Sequence, residues 1–236
     1  MEKIRLNKYI AQAGVCSRRD ADSLIDRGLV TVNGQTANMG MRVDDSDHIV
    51  VNGREIKGRN ETVVLAYYKP VGVTCTEKDK FAAKKIMEEV NYPIRLTYAG
   101  RLDKESEGLM ILTNDGDLIH AMMRGANRHE KEYIVKVKEE ITPEFLKGLQ
   151  TGVYLPELDQ TTRPCKAEQI GKYTFKITLT QGLNRQIRYM CKAFEYHVFS
   201  LKRVRIMNIE LGKLHPGQWR ILTGDELASL YKALGF

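Results

Sequence analysis

The apolar run Leu109-Met110-Ile111-Leu112 and the segment leading into it, Gly100-Arg101-Leu102-Asp103-Lys104-Glu105-Ser106-Glu107-Gly108, constrain this chain most. A run that hydrophobic suits a buried strand, which makes the preceding segment a loop at the edge of a folded core. Within that loop Asp103 stands between an Arg and a Lys, with glycines at both ends. Charged neighbours would hold such a carboxylate ionised and aimed, as a nucleophile or base requires. A solvated charged turn has the same composition, so other segments must decide between the two.

The first sixty residues have the pattern of a separate small module. Leu6, Tyr9, Ile10 and Ala13 recur at helical spacing, with Gly14 placed to end the helix. Ser17 is positioned to cap a second helix from Arg18 to Arg27, with Gly28 terminating it. Two β-rich runs follow, each closing on an Asn-Gly hairpin signal, Asn33-Gly34 and Asn52-Gly53. Residues 1–58 are thus expected to form one domain, 59–62 a linker and 63–236 a second domain.

In the second part, residues 62–68 have the pattern of a strand stopped by Lys69-Pro70. Residues 131–138 alternate as a strand with Tyr133, Val135 and Val137 on one face. Thr142-Pro143 marks a helix start, residues 173–180 alternate again, 184–194 has helical character and 224–234 closes the chain as a helix. Strands and helices without regular βαβ alternation predict an α+β fold on a mixed or antiparallel sheet flanked by helices.

Composition narrows the classes of function. No apolar run reaches membrane-spanning length, and Met1 leads directly into charged residues, unlike a signal peptide. The cysteines Cys16, Cys75, Cys165 and Cys191 form no CxxC pair, and the five histidines are dispersed. That argues against a structural metal site or a disulfide framework, and it suits a reducing cytoplasm. The net charge is +7, and between Asn184 and Arg205 six cations face the single carboxylate Glu195. A local field of that sign favours a polyanion, with nucleic acid first among candidates.

The first module resembles the S4 RNA-binding domain, through Arg5-Leu6-Asn7-Lys8-Tyr9-Ile10, Gly14-Val15-Cys16-Ser17-Arg18-Arg19 and the stretch Gly28 to Gly34. The resemblance implies that Ser17, Arg18 and Arg19 face RNA phosphates where the second helix opens, with Arg5 and Lys8 beside them. A helix N-terminus flanked by guanidiniums suits that role, although surface arginines on helices are commonplace.

Three more motifs accompany the Asp103 loop: Lys69-Pro70-Val71-Gly72, Lys131-Glu132-Tyr133 and Gln181-Gly182-Leu183-Asn184-Arg185-Gln186-Ile187-Arg188. In this order they resemble the RsuA-type pseudouridine synthases, which carry an N-terminal S4 domain, and the likeness covers essentially the whole chain. It implies a cofactor-free isomerisation of uridine in RNA on a flipped-out base. By resemblance Asp103 is the essential carboxylate, and Arg188 is the candidate partner that pairs with it and keeps it ionised. Tyr133 lies against the target base, Arg101 clamps a phosphate or buttresses the loop, and Arg185 contacts RNA. Lys69 and Gly72 shape the cleft floor. Within the family, residues 129–133, 205–208 and 217–227 are most like members acting on large-subunit rRNA. The implied partner is 23S rRNA or a large-subunit precursor, with a tRNA anticodon uridine as a further target. One departure is Tyr189, where the family commonly has a second arginine. A base-stacking role and a half-buried packing role are both open to it. The alternatives are an S4-type RNA-binding or ribosome-assembly factor that has lost catalysis, and, less consistent with the motifs, a DNA-binding regulator.

Overall fold

A computed structural model describes residues 3–56, 58–76, 84–124 and 128–236. Lys57, next to the expected linker, and the leading Met1-Glu2 lie outside the described residues. The chain divides into two compact units. The first holds the residues through Val63 together with Tyr92–Thr97 and Thr113–Gly116, and the second holds most of the remainder.

The first unit has two helices, α1 (Leu6–Gln12) and α2 (Arg18–Asp26), and a four-stranded sheet of β1 (Val30–Val32), β2 (Gln35–Thr36), β3 (Ile49–Val51) and β4 (Arg54–Glu55), in the order β2-β1-β3-β4. Asn33-Gly34 and Asn52-Gly53 both adopt positive φ, as two-residue hairpins between right-twisted strands require. Ser17 Oγ accepts from the Asp20 N–H at 3.2 Å, and Gly28 ends α2 at φ +69°. Leu6, Tyr9 and Ile10 from α1, Ala21 and Ile25 from α2, and Val30, Val32, Ile49 and Val51 bury together as its core. Arg59 and Asn60, expected as linker, bond within this unit: Arg59 Nε donates to Asp45 at 2.9 Å and Asn60 N–H to the Gln12 carbonyl at 3.2 Å.

The second unit is built on a mixed sheet. Its strands are β5 (Val64–Lys69), β6 (Glu107–Thr113), β7 (Lys131–Val137), β8 (Lys166–Gly171), β9 (Thr174–Leu179), β10 (Val198–Ile206) and β11 (Trp219–Ile221). They run in the order β8-β9-β7-β10-β6-β5-β11, with short strands added at β6 and β10. β7 pairs antiparallel with β9 and β10, whereas β10 meets β6 in parallel. Every residue of β5 is buried, and so is every residue of β6 after Glu107, as expected for strands covered on both faces. Helices α3 (Gly116–Met123) and α6 (Gly224–Leu234) place Leu118, Met122 and Leu230 against Val64, Leu109 and Ile111. Helix α4 (Pro143–Thr151) begins where Thr142 caps it, through the Phe145 N–H at 3.2 Å.

The expected helix over 184–194 is shorter, α5 (Gln186–Lys192). Arg185 sits in left-handed geometry at φ 50°, so Asn184 and Arg185 belong to the approach turn. No helix among the described residues is long and apolar enough to cross a membrane.

Candidate active site

The KPVG turn follows β5 because Pro70 cannot donate to a ladder. Lys69 is fully buried, and its Nζ donates to the carbonyls of Pro70 at 2.9 Å and Val73 at 2.8 Å, tying the turn to its own strand. Burial pushes the Lys69 ammonium down, while Cys75, Asp103 and Glu105 oppose that shift. Gly72, at φ +91°, donates its N–H to the Lys104 carbonyl at 2.8 Å. The first motif therefore braces the Asp103 loop directly.

That loop closes on itself through the Ser106 N–H, which donates to the Asp103 carbonyl at 3.1 Å, with Ser106 fully buried. It ends at Gly108, whose φ is +109° and where a Cβ would stand 2.2 Å from the Arg203 carbonyl oxygen. Only glycine lets β10 come this close in parallel register, Arg203 opposite Gly108. Asp103 thus leaves the loop from a doubly fixed frame, with a side chain 30% exposed.

Asp103, Arg101, Tyr133 and Arg185 line one cavity of about 370 Å³, together with Cys75, Gln181, Leu183 and Leu201. Tyr133 is buried on β7, opposite Ile177 of β9 and Arg203 of β10. Gln186, also buried, accepts from the Leu183 N–H at 3.1 Å and shapes the turn before α5. Gln181 accepts from the Arg163 N–H at 3.0 Å, and its buried Nε2 has no partner among the described residues. Gln181 and Gln186 lie within the last motif, which assigns neither a role of its own, and Cys75 carries no sequence signal as a wall residue.

The expected bidentate pair of Asp103 with Arg188 is not formed. Among the described residues the cation paired with the carboxylate is Arg185, Nη1 to Oδ2 at 3.9 Å, which also reaches Glu105 Oε2 at 3.3 Å. Arg188 instead approaches Ser106 Oγ at 3.4 Å and the Glu105 carbonyl at 3.5 Å, and its Nε is buried without a partner among the described residues. Arg185, in left-handed geometry, lines the cavity, while Arg188 on α5 contacts the loop backbone and Ser106. Tyr189 is half-buried on α5.

The other expected RNA contacts belong to the first unit. Arg5, Arg18 and Arg19 are exposed and Lys8 is half-buried. Ser17 is engaged as a cap, its hydroxyl also donating to Asp20 at 2.6 Å. Among the described residues, no three His, Cys, Asp or Glu side chains converge as metal ligands would.

Comparison with known proteins gives this geometry its context. Residues 63–193 match the RNA pseudouridylate synthase family and residues 4–49 the S4 domain. The chain is 47% identical over 232 residues to the dual-specificity RNA pseudouridine synthase RluF of Salmonella typhi, covering 98% of this chain and 79% of that one. It is 38% identical to ribosomal large subunit pseudouridine synthase B of Bacillus subtilis, covering 96% and 95%. A crystal structure of a pseudouridylate synthase superposes with a TM-score of 0.70 at 26% identity, over 98% of this chain and 99% of that one. With both domain matches and relatives along nearly its whole length, the chain belongs to the RNA pseudouridylate synthase family, as a member with an N-terminal S4 domain and an isomerase that acts on uridine in RNA.

Proposed function

We propose that this enzyme converts a uridine of 23S rRNA to pseudouridine, with a tRNA uridine as a second target. The chemistry breaks the bond from uracil N1 to ribose C1′ and joins uracil C5 to C1′. The C5 proton is lost and N1 gains one. Asp103 is the reacting carboxylate, as nucleophile or base at the ribose. The observation that carries the reading is that Asp103 and Tyr133 line one cavity with Arg185 beside the carboxylate. Arg185 orients that carboxylate across the cavity from Tyr133. Tyr133 provides the apolar surface for the base, and its hydroxyl assists proton movement. Arg188 acts as a positioning residue through Ser106 and the Glu105 carbonyl.

The names of the relatives support the target class, since a dual-specificity enzyme and a large-subunit enzyme are among them. Arg5, Lys8, Ser17, Arg18 and Arg19 of the S4 domain contact the RNA backbone, with Arg101 and Arg185 at the cleft. The enzyme is cytoplasmic, and its substrate is 23S rRNA or a large-subunit precursor. Mapping pseudouridines in rRNA and tRNA from a strain lacking the protein tests this. Loss of a 23S site is expected, and unchanged maps of both RNAs would contradict it.

A further inference from the structure

We propose that a second, cationic cavity adjoining the Asp103 cavity seats an RNA phosphodiester neighbouring the uridine at Tyr133. The proposal rests on the reading that uridine in RNA is the substrate. The second cavity is about 370 Å³ and shares Arg101, Tyr133, Gln181 and Leu183 with the first. Its remaining basic wall is Arg124, His129, Lys131, Arg163 and Arg203, and among the described residues no Asp or Glu lines it.

The period of two along β7 sorts the charges by face. Lys131 and Tyr133 point to this cavity, whereas Glu130 and Glu132 point to the opposite side, where both meet Arg205, at 2.9 and 3.4 Å. The carboxylates nearest in sequence are therefore neutralised elsewhere. Arg203 is 2% exposed, and its hydrogen bonds go to neutral acceptors, the Leu109 carbonyl at 2.7 Å and Met110 Sδ at 3.0 Å. The Lys131 ammonium makes no hydrogen bond or ion pair with a described residue. Burial, with the Arg203 charge added, pushes the Lys131 ammonium down.

Two cations lining one cavity, one buried and one half-buried, with no counter-charge among the described residues, are costly in a free protein. An anion entering the cavity offsets that cost. A phosphodiester suits the donors, because its two non-bridging oxygens share one charge and accept from guanidinium forks and an ammonium together. The shared Tyr133 wall makes the two cavities neighbours, so a base on one side of the ring and a backbone phosphate on the other belong to one strand.

The test is binding of a 23S rRNA transcript by the full chain, titrated in KCl between about 50 and 400 mM, for wild type, Lys131→Gln and Arg124→Gln. Removing one phosphate contact makes the slope of log K against log salt shallower by about 0.7–0.9. That decrease is expected for each variant, with affinities converging at high salt. Slopes equal to wild type in both variants overturn the proposal. So does weaker binding at unchanged slope, which would mark a base contact instead. Arg124 is exposed, so Arg124→Gln decides the matter even if Lys131→Gln fails to fold. Release of tritium from uracil C5 is followed with the wild type in parallel. Release with unchanged slopes discards the phosphate site alone, whereas its absence discards the uridine reading while the slopes still decide the cavity.

Discussion

Arg185 Nη1 lies 3.9 Å from Asp103 Oδ2 and 3.3 Å from Glu105 Oε2, so one guanidinium spans two carboxylates of the same loop. Glu105 is held below its usual range, first by its own backbone N–H and further by Arg185 and Arg188. Since Arg185 touches the carboxylate and Arg188 only its loop, the two arginines should fail differently. Arg185→Ala is expected to lower kcat about 10–100-fold, in line with losing one charge partner of a partly enclosed group. Arg188→Ala should lower kcat and also loosen the loop, seen as faster hydrogen exchange at Ser106. Equal kinetics and equal exchange in the two variants would refute this division.

Lys69 holds two carbonyls of the turn that braces Lys104. Lys69→Met leaves both without their donor in a buried site, and is expected to cost about 2–4 kcal/mol in urea unfolding. Unchanged stability would mean that water or the backbone replaces the ammonium.

Gly108→Ala places a methyl 2.2 Å from the Arg203 carbonyl oxygen at a φ of +109°. Strain and overlap together should cost about 3–5 kcal/mol and separate β6 from β10. Gly182→Ala, with open space around its Cβ, serves as the control and should stay within about 1 kcal/mol of wild type.

In the first unit Asp44, Asp45 and Asp47 all lie below the ordinary 3.8, through hydrogen bonds from Ser46, from Arg59, and from the Asp44 N–H with Asn33 respectively. Lowered folded values stabilise the native state above the unfolded value. That contribution is lost as pH falls below about 3.8 through the folded values. Hydrogen exchange over residues 30–51 should therefore accelerate below pH 4, and Asp47→Asn should flatten the dependence. Protection independent of pH there would contradict the assignment.

Much of this molecule was legible in the chain. The Asn-Gly pairs set both hairpins, Thr142-Pro143 set the start of α4, and alternation put Tyr133, Val135 and Val137 on one face. These signals are local, and local chemistry decides them. The Asp103 partner was not legible, because Arg185 and Arg188 sit one helical turn apart and either suits a carboxylate. Their roles depend on a non-glycine residue adopting left-handed geometry, which no residue type announces. The reason for Gly108 was hidden too, since the strand that demands it comes far later in the chain. Lys131 stands in the sequence only as the start of the motif that ends at Tyr133; that it lines a cavity with Arg203 depends on β10, far later in the chain.

The central claim is that Asp103 carries the chemistry and the rest of the chain presents RNA to it. Asp103→Asn keeps the size and nearly the shape of the side chain, so its effect isolates the charge. Release of tritium from uracil C5 of rRNA should fall by at least about 10³-fold, while binding of the same RNA stays within about threefold of wild type. Turnover by Asp103→Asn comparable to wild type would contradict the account.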